Sequence, residues 1–362
     1  MKHEITLQET QAIAIGAGIL GTGGGGNTYL GRIRLEQELK QYKTPCHIID
    51  AEDVPDDVLV CAVSTMGAPT VGIEKLARGT EVKDTVRALE EHLGQPFAAL
   101  IIGEIGGSNA LNPLIAGIQL GLPVVDGDGM GRAFPELQMD TFCIAGISPS
   151  PLALGDVHGN IVIFDNVESA LRAEEFGRNL TIEMGGSAAL VMPIMTGQEM
   201  KANIIRGTLS LAQAIGETVL DCRAHNRGPA AAVAKLGNGR VLFQGKITDV
   251  ERRTTQGFAR GRLKLAGFSD PDNMMEIVFQ NENLVAWHNE QIVCTVPDLI
   301  SIITLEEGEP VGTESLRYGL RVAVIGMPAP RELKTDAALK VVGPAAFGYP
   351  EIDFHPMNGN LL

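Results

Sequence analysis

Aromatic side chains are scarce in this chain: one tryptophan, four tyrosines and eleven phenylalanines among 362 residues. Hydrophobic residues still make up 44%, so the core must be aliphatic and rich in small side chains. Basic residues are also few. Lys and Arg number 29 against 44 Asp and Glu, a formal net charge of −15. Nucleic acids and anionic membrane surfaces both need a positive footprint, and this balance excludes them as the main partner. It leaves room for a small anionic substrate held by one or two local arginines. The five cysteines, Cys46, Cys61, Cys143, Cys222 and Cys294, are odd in number and far apart, with no C-x-x-C pair. That excludes a disulfide framework or zinc knuckle and fits a reducing cytoplasm. No run approaches the ~20 apolar residues that span a bilayer. The opening MKHEITLQETQ lacks the apolar centre of a secretion signal. The expectation is a cytoplasmic protein without a membrane segment.

Several catalytic signatures are missing as well. No histidines stand in the H-E-x-x-H spacing, and no G-x-x-x-x-G-K-[ST] loop occurs. There is no G-x-S-x-G elbow for a serine nucleophile. His158 and His225 lie in polar loops and read as surface residues or isolated candidates. Cys143, among apolar neighbours, reads as a buried and inert thiol.

Glycine, at 43 residues, is what the chain has in abundance, and it clusters where strands and helices end. Thr6 and Glu9 have capping-box spacing, and residues 12–20 then read as a buried helix. Within it, residues 16–21 match G-x-G-x-x-G, with Asp50 downstream as a candidate ribose ligand. A dinucleotide site needs that motif after a strand. Here it falls inside a helix, so a nicotinamide cofactor is not expected. Next come Gly23, Gly24, Gly25 and Gly26, then Asn27 as N-cap of a helix over residues 28–41. Glycines before a helix N-terminus present free N–H groups, suited either to an anion or to a flexible connector.

Three strand-and-loop units follow. Residues 58–63 lead to Ser64 and Met66. Residues 98–102 lead to Glu104, Gly106, Gly107 and Asn109. Residues 122–125 lead to Asp126, Asp128, Arg132 and Glu136. Helical patterns over 83–92 and 113–120 separate them. Alternation of this kind implies a parallel sheet flanked by helices, and such sheets bind ligands at the carboxyl ends of their strands. The stretch EIGGSNAL at 104–111 is echoed by EMGGSAAL at 183–190, six of eight positions being identical. Helices are expected over 170–178 and 203–222. From residue 239 onward short strands dominate, at 240–243, 261–266, 275–279, 284–287, 299–305 and 321–325. The fold class is therefore α/β: residues 1–235 form an α/β domain carrying the site, and residues 236–362 a β-rich domain. Residues 339–356 are expected to pack back on the first domain.

The chemistry left is that of carboxylates. Glu104, Asp126, Asp128 and Glu136, with Arg132 among them, could serve general acid–base catalysis with one raised pKa. They could equally hold a divalent cation that activates water. Sequence alone leaves both open, with Asp126–Arg132 as a capped turn the structural alternative.

Four stretches, LGTGGGGNTYLG (20–31), GEIGGSNALNPLIAG (103–117), LPVVDGDGMGRAFPE (122–136) and LRYGLRVAVIGMPAP (316–330), resemble the S-methyl thiohydantoin desulfurase family, which is associated with hydantoinase and oxoprolinase proteins. The resemblance runs through nearly the whole chain. It implies a homo-oligomeric enzyme that replaces a sulfur substituent on a thiohydantoin-like ring by water. Under that reading Asp126 or Asp128 activates water, and the backbone of Gly23–Gly26 or Gly106–Gly107 holds developing charge. Glu104 or Glu136 protonates the leaving group, and Arg132 orients the small-molecule substrate. Asn27, Ser64, Met66 and Asn109 complete the expected surroundings. The alternative is a non-catalytic subunit docked on a hydantoinase-type partner.

Overall fold

The computed structural model describes residues 3–42, 44–255 and 258–357. The helix Glu9–Leu20 is apolar on nearly every side and buried accordingly. At its entrance the Glu9 carboxylate accepts hydrogen bonds from the Thr6 N–H and hydroxyl, both at 2.7 Å. It crosses the helix Thr208–Ala224 at two glycines. A Cβ on Gly16 would stand 1.7 Å from the Ala212 carbonyl oxygen, and one on Gly216 1.8 Å from that of Ala12. Gly18 is pressed in the same way against Pro310. The G-x-G-x-x-G residues are thus places where a helix touches its neighbours.

The first sheet is built from β1 (His3–Ile5), β2 (Cys46–Ile49), β3 (Leu59–Gly67), β4 (Ala99–Ile102), β5 (Val124–Asp128), β6 (Leu152–Gly155), β7 (Ile161–Phe164), β8 (Ser187–Thr196) and β9 (Ile205–Arg206). Its order is β1-β2-β5-β4-β3-β8-β6-β7, with β9 beside β5. The four central strands β2, β5, β4 and β3 are parallel. The flanking pairs are antiparallel, which makes the sheet mixed. Strand alternation divides its side chains between two faces. Cys61, Val63, Leu100, Ile102 and Val124 pack with the helices Glu81–Leu93 and Asn112–Leu120. Val60, Ala62, Ile101 and Val125 pack with Phe142, Met195 and Met200.

The second sheet is antiparallel throughout. It comprises β10 (Arg240–Thr255), β11 (Phe258–Gly267), β12 (Met274–Gln280), β13 (Glu282–His288), β14 (Gln291–Thr295), β15 (Leu299–Thr304) and β16 (Arg321–Met327), in the order β14-β13-β12-β11-β10-β16-β15. It curls until its ends approach: Asn283 Nδ2 of β13 donates to Ile300 O of β15 at 2.8 Å. The closing segment packs along the seam between the sheets, with Phe347 stacked on Phe134 at 6.5 Å. Among the described residues no helix is long and apolar enough to cross a membrane.

Candidate functional site

A cavity of about 580 Å³ opens where β3, β4 and β5 end. Its floor is the last residues of β3, Ser64 to Gly67, with the loops after the other two strands, Gly103 and Glu104 after β4 and Met130 with Phe134 to Leu137 after β5. Gly25, Gly26 and Asn27 form one wall, and Ser187 to Leu190 of β8 another. The second sheet supplies Asn281 and Glu282 from the tight β12–β13 turn, where Asn281 adopts φ 58°.

Glu104 is buried in this wall. It accepts hydrogen bonds from Asn109 Nδ2 and, at 3.1 Å, from Phe134 N. Burial pushes its pKa up to about 7, opposed by these donors and by Arg132 and reinforced by Asp128. Asn109 is itself held: its Oδ1 accepts from Thr65 N at 2.9 Å, and Asn112 Nδ2 donates to Thr65 Oγ1 at 2.9 Å. Glu282 is buried too, at 3% exposure, and among the described residues its Oε2 has no hydrogen-bond partner. Burial first, and then the charge of Glu104, hold it well above the usual carboxylate range. Glu282 lies so close to the glycine loop that a Cβ on Gly24 would meet its Oε1 at 1.9 Å. Two carboxyls in one desolvated pocket, one pushed up to about 7 and the other held well above the carboxylate range, can take and give protons.

The other residues singled out by sequence are distributed differently. Asp126 does not line the cavity. It accepts from Leu209 N (2.9 Å), Ser210 N (3.1 Å) and the Ser210 hydroxyl, at the start of the helix Thr208–Ala224. Asp128 lies fully buried beneath the cavity. It accepts from Ile105 N and Gly131 N at 2.8 Å and Met130 N at 3.1 Å, while burial pushes its pKa up to about 7. The i, i+2 pair is divided by a bulge: Leu100 and Ile102 of β4 face Val124 and Asp128 of β5. Arg132 is fully buried and reaches backbone of the second sheet. Glu136 lines the cavity and accepts from Gln138 Nε2.

Gly25, Gly26, Asn27, Ser64, Met66 and Asn109 line the cavity as well, whereas Gly23, Gly24, Gly106 and Gly107 stand behind it. Gly25 (φ +77°) and Gly107 (φ +63°) interlock backbone against backbone, a Cβ on either meeting the other loop at 2.2 Å. Ser108 N and Asn109 N donate to Gly26 O and Gly25 O at 3.3 and 3.2 Å.

Glu282 and Arg178 face the cavity without having been singled out by sequence. Arg178 donates to Glu174 Oε1 at 2.7 Å and to Pro135 O at 2.8 Å, which fixes the acidic loop to the helix Ala170–Glu183. Asp140, also in the lining, caps the short helix Thr141–Ile144 through Cys143 N, and burial pushes its pKa up to about 6. Among the described residues no group of three His, Cys, Asp or Glu side chains is placed to hold a metal ion.

Two family models match in tandem: S-Me-THD-like, N-terminal domain over residues 8–166, and S-Me-THD-like, C-terminal domain over residues 168–357. The strands β8 and β9 of the first sheet thus fall under the second model. A protein from Chromobacterium violaceum, known from an X-ray crystal structure, shares the fold. Its TM-score is 0.82 at 24% identity, covering 98% of this chain and 99% of that one. No curated protein matches the chain.

Proposed function

The chain belongs to the S-Me-THD-like family, and from that premise we propose that it is a hydrolase of the desulfurase type, acting on a five-membered hydantoin- or thiohydantoin-like ring. The observation that carries this reading is the Glu104–Glu282 pair, two buried carboxyls from different sheets in one cavity. Glu104, poised near neutrality, accepts a proton from the attacking water. Water adds to the ring carbon that bears sulfur, and the carbon–sulfur bond then breaks. Glu282, which keeps its proton, delivers it to the departing sulfur. Glu104 passes its proton to the ring nitrogen, and as the oxygen of water becomes the ring carbonyl its remaining proton replaces the one Glu282 gave to sulfur. The carboxyls return to their starting states. Gly25, Gly26 and Asn27, before the helix Thr28–Gln41, line the same space, and their amide groups would stabilise negative charge on the ring as it forms.

Release of methanethiol from an S-methyl thiohydantoin, followed with a thiol-reactive dye, tests this. The purified protein should turn over. Glu104→Gln and Glu282→Gln should each lower kcat by roughly 100-fold or more, the range of a lost general acid or base. Turnover that persists in both variants removes the mechanism. Lack of turnover, with no ring compound raising the melting temperature, favours a non-catalytic docking subunit.

A further inference from the structure

Among the described residues Arg132 is the largest fully buried side chain, yet none of its hydrogen bonds ends on a carboxylate. Its Nε donates to Ala133 O at 3.1 Å. Nη1 donates to Pro297 O at 3.3 Å and Asp298 O at 2.9 Å. Nη2 donates to Thr22 Oγ1 at 2.8 Å and Asn283 O at 3.0 Å. All five acceptors are neutral, so the guanidinium charge is not cancelled by contact. Four of them belong to other parts of the chain: the glycine loop, the residue after Glu282, and the turn before β15. The fifth belongs to the residue before Phe134, whose N–H holds Glu104. Its ring stacks under the guanidinium at 4.7 Å.

We infer that Arg132 is a positioning residue, which fixes Glu104 and Glu282 relative to each other across the domain seam and supplies a fully buried cation that both carboxyls feel. It touches no substrate. The groups facing Glu104 are Glu282, Asp128 and Arg132, and those facing Glu282 are Glu104, Arg132 and Arg178. Arg132 itself faces Glu282, Cys294, Asp298 and Glu104. A planar fork is needed to hold three segments at once, whereas a lysine ammonium would keep the charge and lose the fork. Geometry and charge can therefore be separated by substitution.

This inference rests on the proposed chemistry for its kinetic half only. Arg132→Lys, Arg132→Gln and Thr22→Val are compared with the wild type in two ways. The first is the pH profile of kcat on an S-methyl thiohydantoin. The second is the pH titration of the Glu104 and Glu282 carboxyl carbons by NMR, assigned with the Glu→Gln variants. In Arg132→Gln both carboxyls should titrate about one pH unit higher or more, and the acid limb of kcat should move with them. In Arg132→Lys the titrations should stay in place while kcat falls about tenfold or more, as expected for misplaced reacting groups. Thr22→Val keeps the charge and loses one anchor, so it should lower kcat with its pH limb unmoved, and it serves as the test if Arg132→Gln does not fold. Unmoved titrations in Arg132→Gln, or wild-type kcat in both Arg132→Lys and Thr22→Val, overturn the inference. If the wild type shows no turnover but the titrations move, the desulfurase reading fails and the electrostatic role of Arg132 stands.

Discussion

A carboxyl taken out of water without a cation in contact can gather N–H donors or keep its proton. Asp128 collects three backbone amides on Oδ2 and is still pushed up to about 7, while burial and the charge of Glu104 hold Glu282 well above the usual carboxylate range. Glu104 stands level with Asp128. Its folded pKa of about 7 exceeds the ordinary 4.5. Between those values the folded protein holds a proton that the unfolded chain has lost. The stability tied to that proton is therefore fully present below pH 4.5 and lost as pH rises through 7. For Glu104 the loss is on the order of 3 kcal/mol. Asp128 and Asp140 act in the same direction. The melting temperature should fall from pH 5 to pH 8, and should fall less in Glu104→Gln; parallel wild-type and variant curves would mean that Glu104 stays ionised throughout. Glu104 was legible in the sequence because a lone acid among glycines follows an apolar strand. Glu282 was not, because Gln280-Asn281-Glu282-Asn283 reads as an ordinary polar hairpin turn. Asp126 stood out by its spacing to Asp128, but a two-residue spacing shares a face only in a regular strand, and β5 carries a bulge there.

At the scale of elements, glycine acts through close approach. The helices Glu9–Leu20 and Thr208–Ala224 meet where Gly16 and Gly216 lack side chains, and the atoms a methyl would strike are backbone, which cannot rotate aside. Gly216→Ala should therefore destabilise the protein by about 2 kcal/mol or more, toward the upper range for overpacking. Urea unfolding reads this as a lower midpoint with an unchanged slope. Since the crossing lies away from the cavity lining, kcat of the folded fraction should hold at wild-type level. A midpoint equal to that of the wild type would mean that the helices can separate without loss. The βα units of the sheet centre were legible because each apolar run ends in glycine and precedes a helical period. The antiparallel half was not: β8 joins β3 only after a long excursion through β6, β7 and a helix, and local periodicity says nothing about which distant strand a segment pairs with. The interlock of Gly25 with Gly107 was equally hidden, because each glycine loop by itself looks like a flexible connector.

For the whole molecule, the question is whether two sheets make two folding units. Chains of this length commonly unfold in more than one step. In this protein the largest apolar cluster takes Ile13, Ile19 and Leu209 from helices, Leu100 and Ile102 from the first sheet, and Leu299, Ile303, Ala323 and Ile325 from the second. Polar ties cross the same seam: Ser301 Oγ donates to Ile19 O at 2.6 Å, Asn283 N to Thr22 O at 2.8 Å and Thr313 N to Gly23 O at 2.8 Å. Removing the second sheet would expose the apolar face of a helix buried on nearly all sides, so neither part has a complete core without the other. The chain should therefore unfold in one transition. The lone tryptophan, Trp287, sits in β13 of the second sheet, whereas the two long crossing helices belong to the first part. Trp287 fluorescence and the far-ultraviolet helical signal thus watch different halves, and their urea curves should superimpose. Separate midpoints would show two cores. They would also place the cavity, with Glu104 on one side and Glu282 on the other, across a boundary that opens before the protein unfolds.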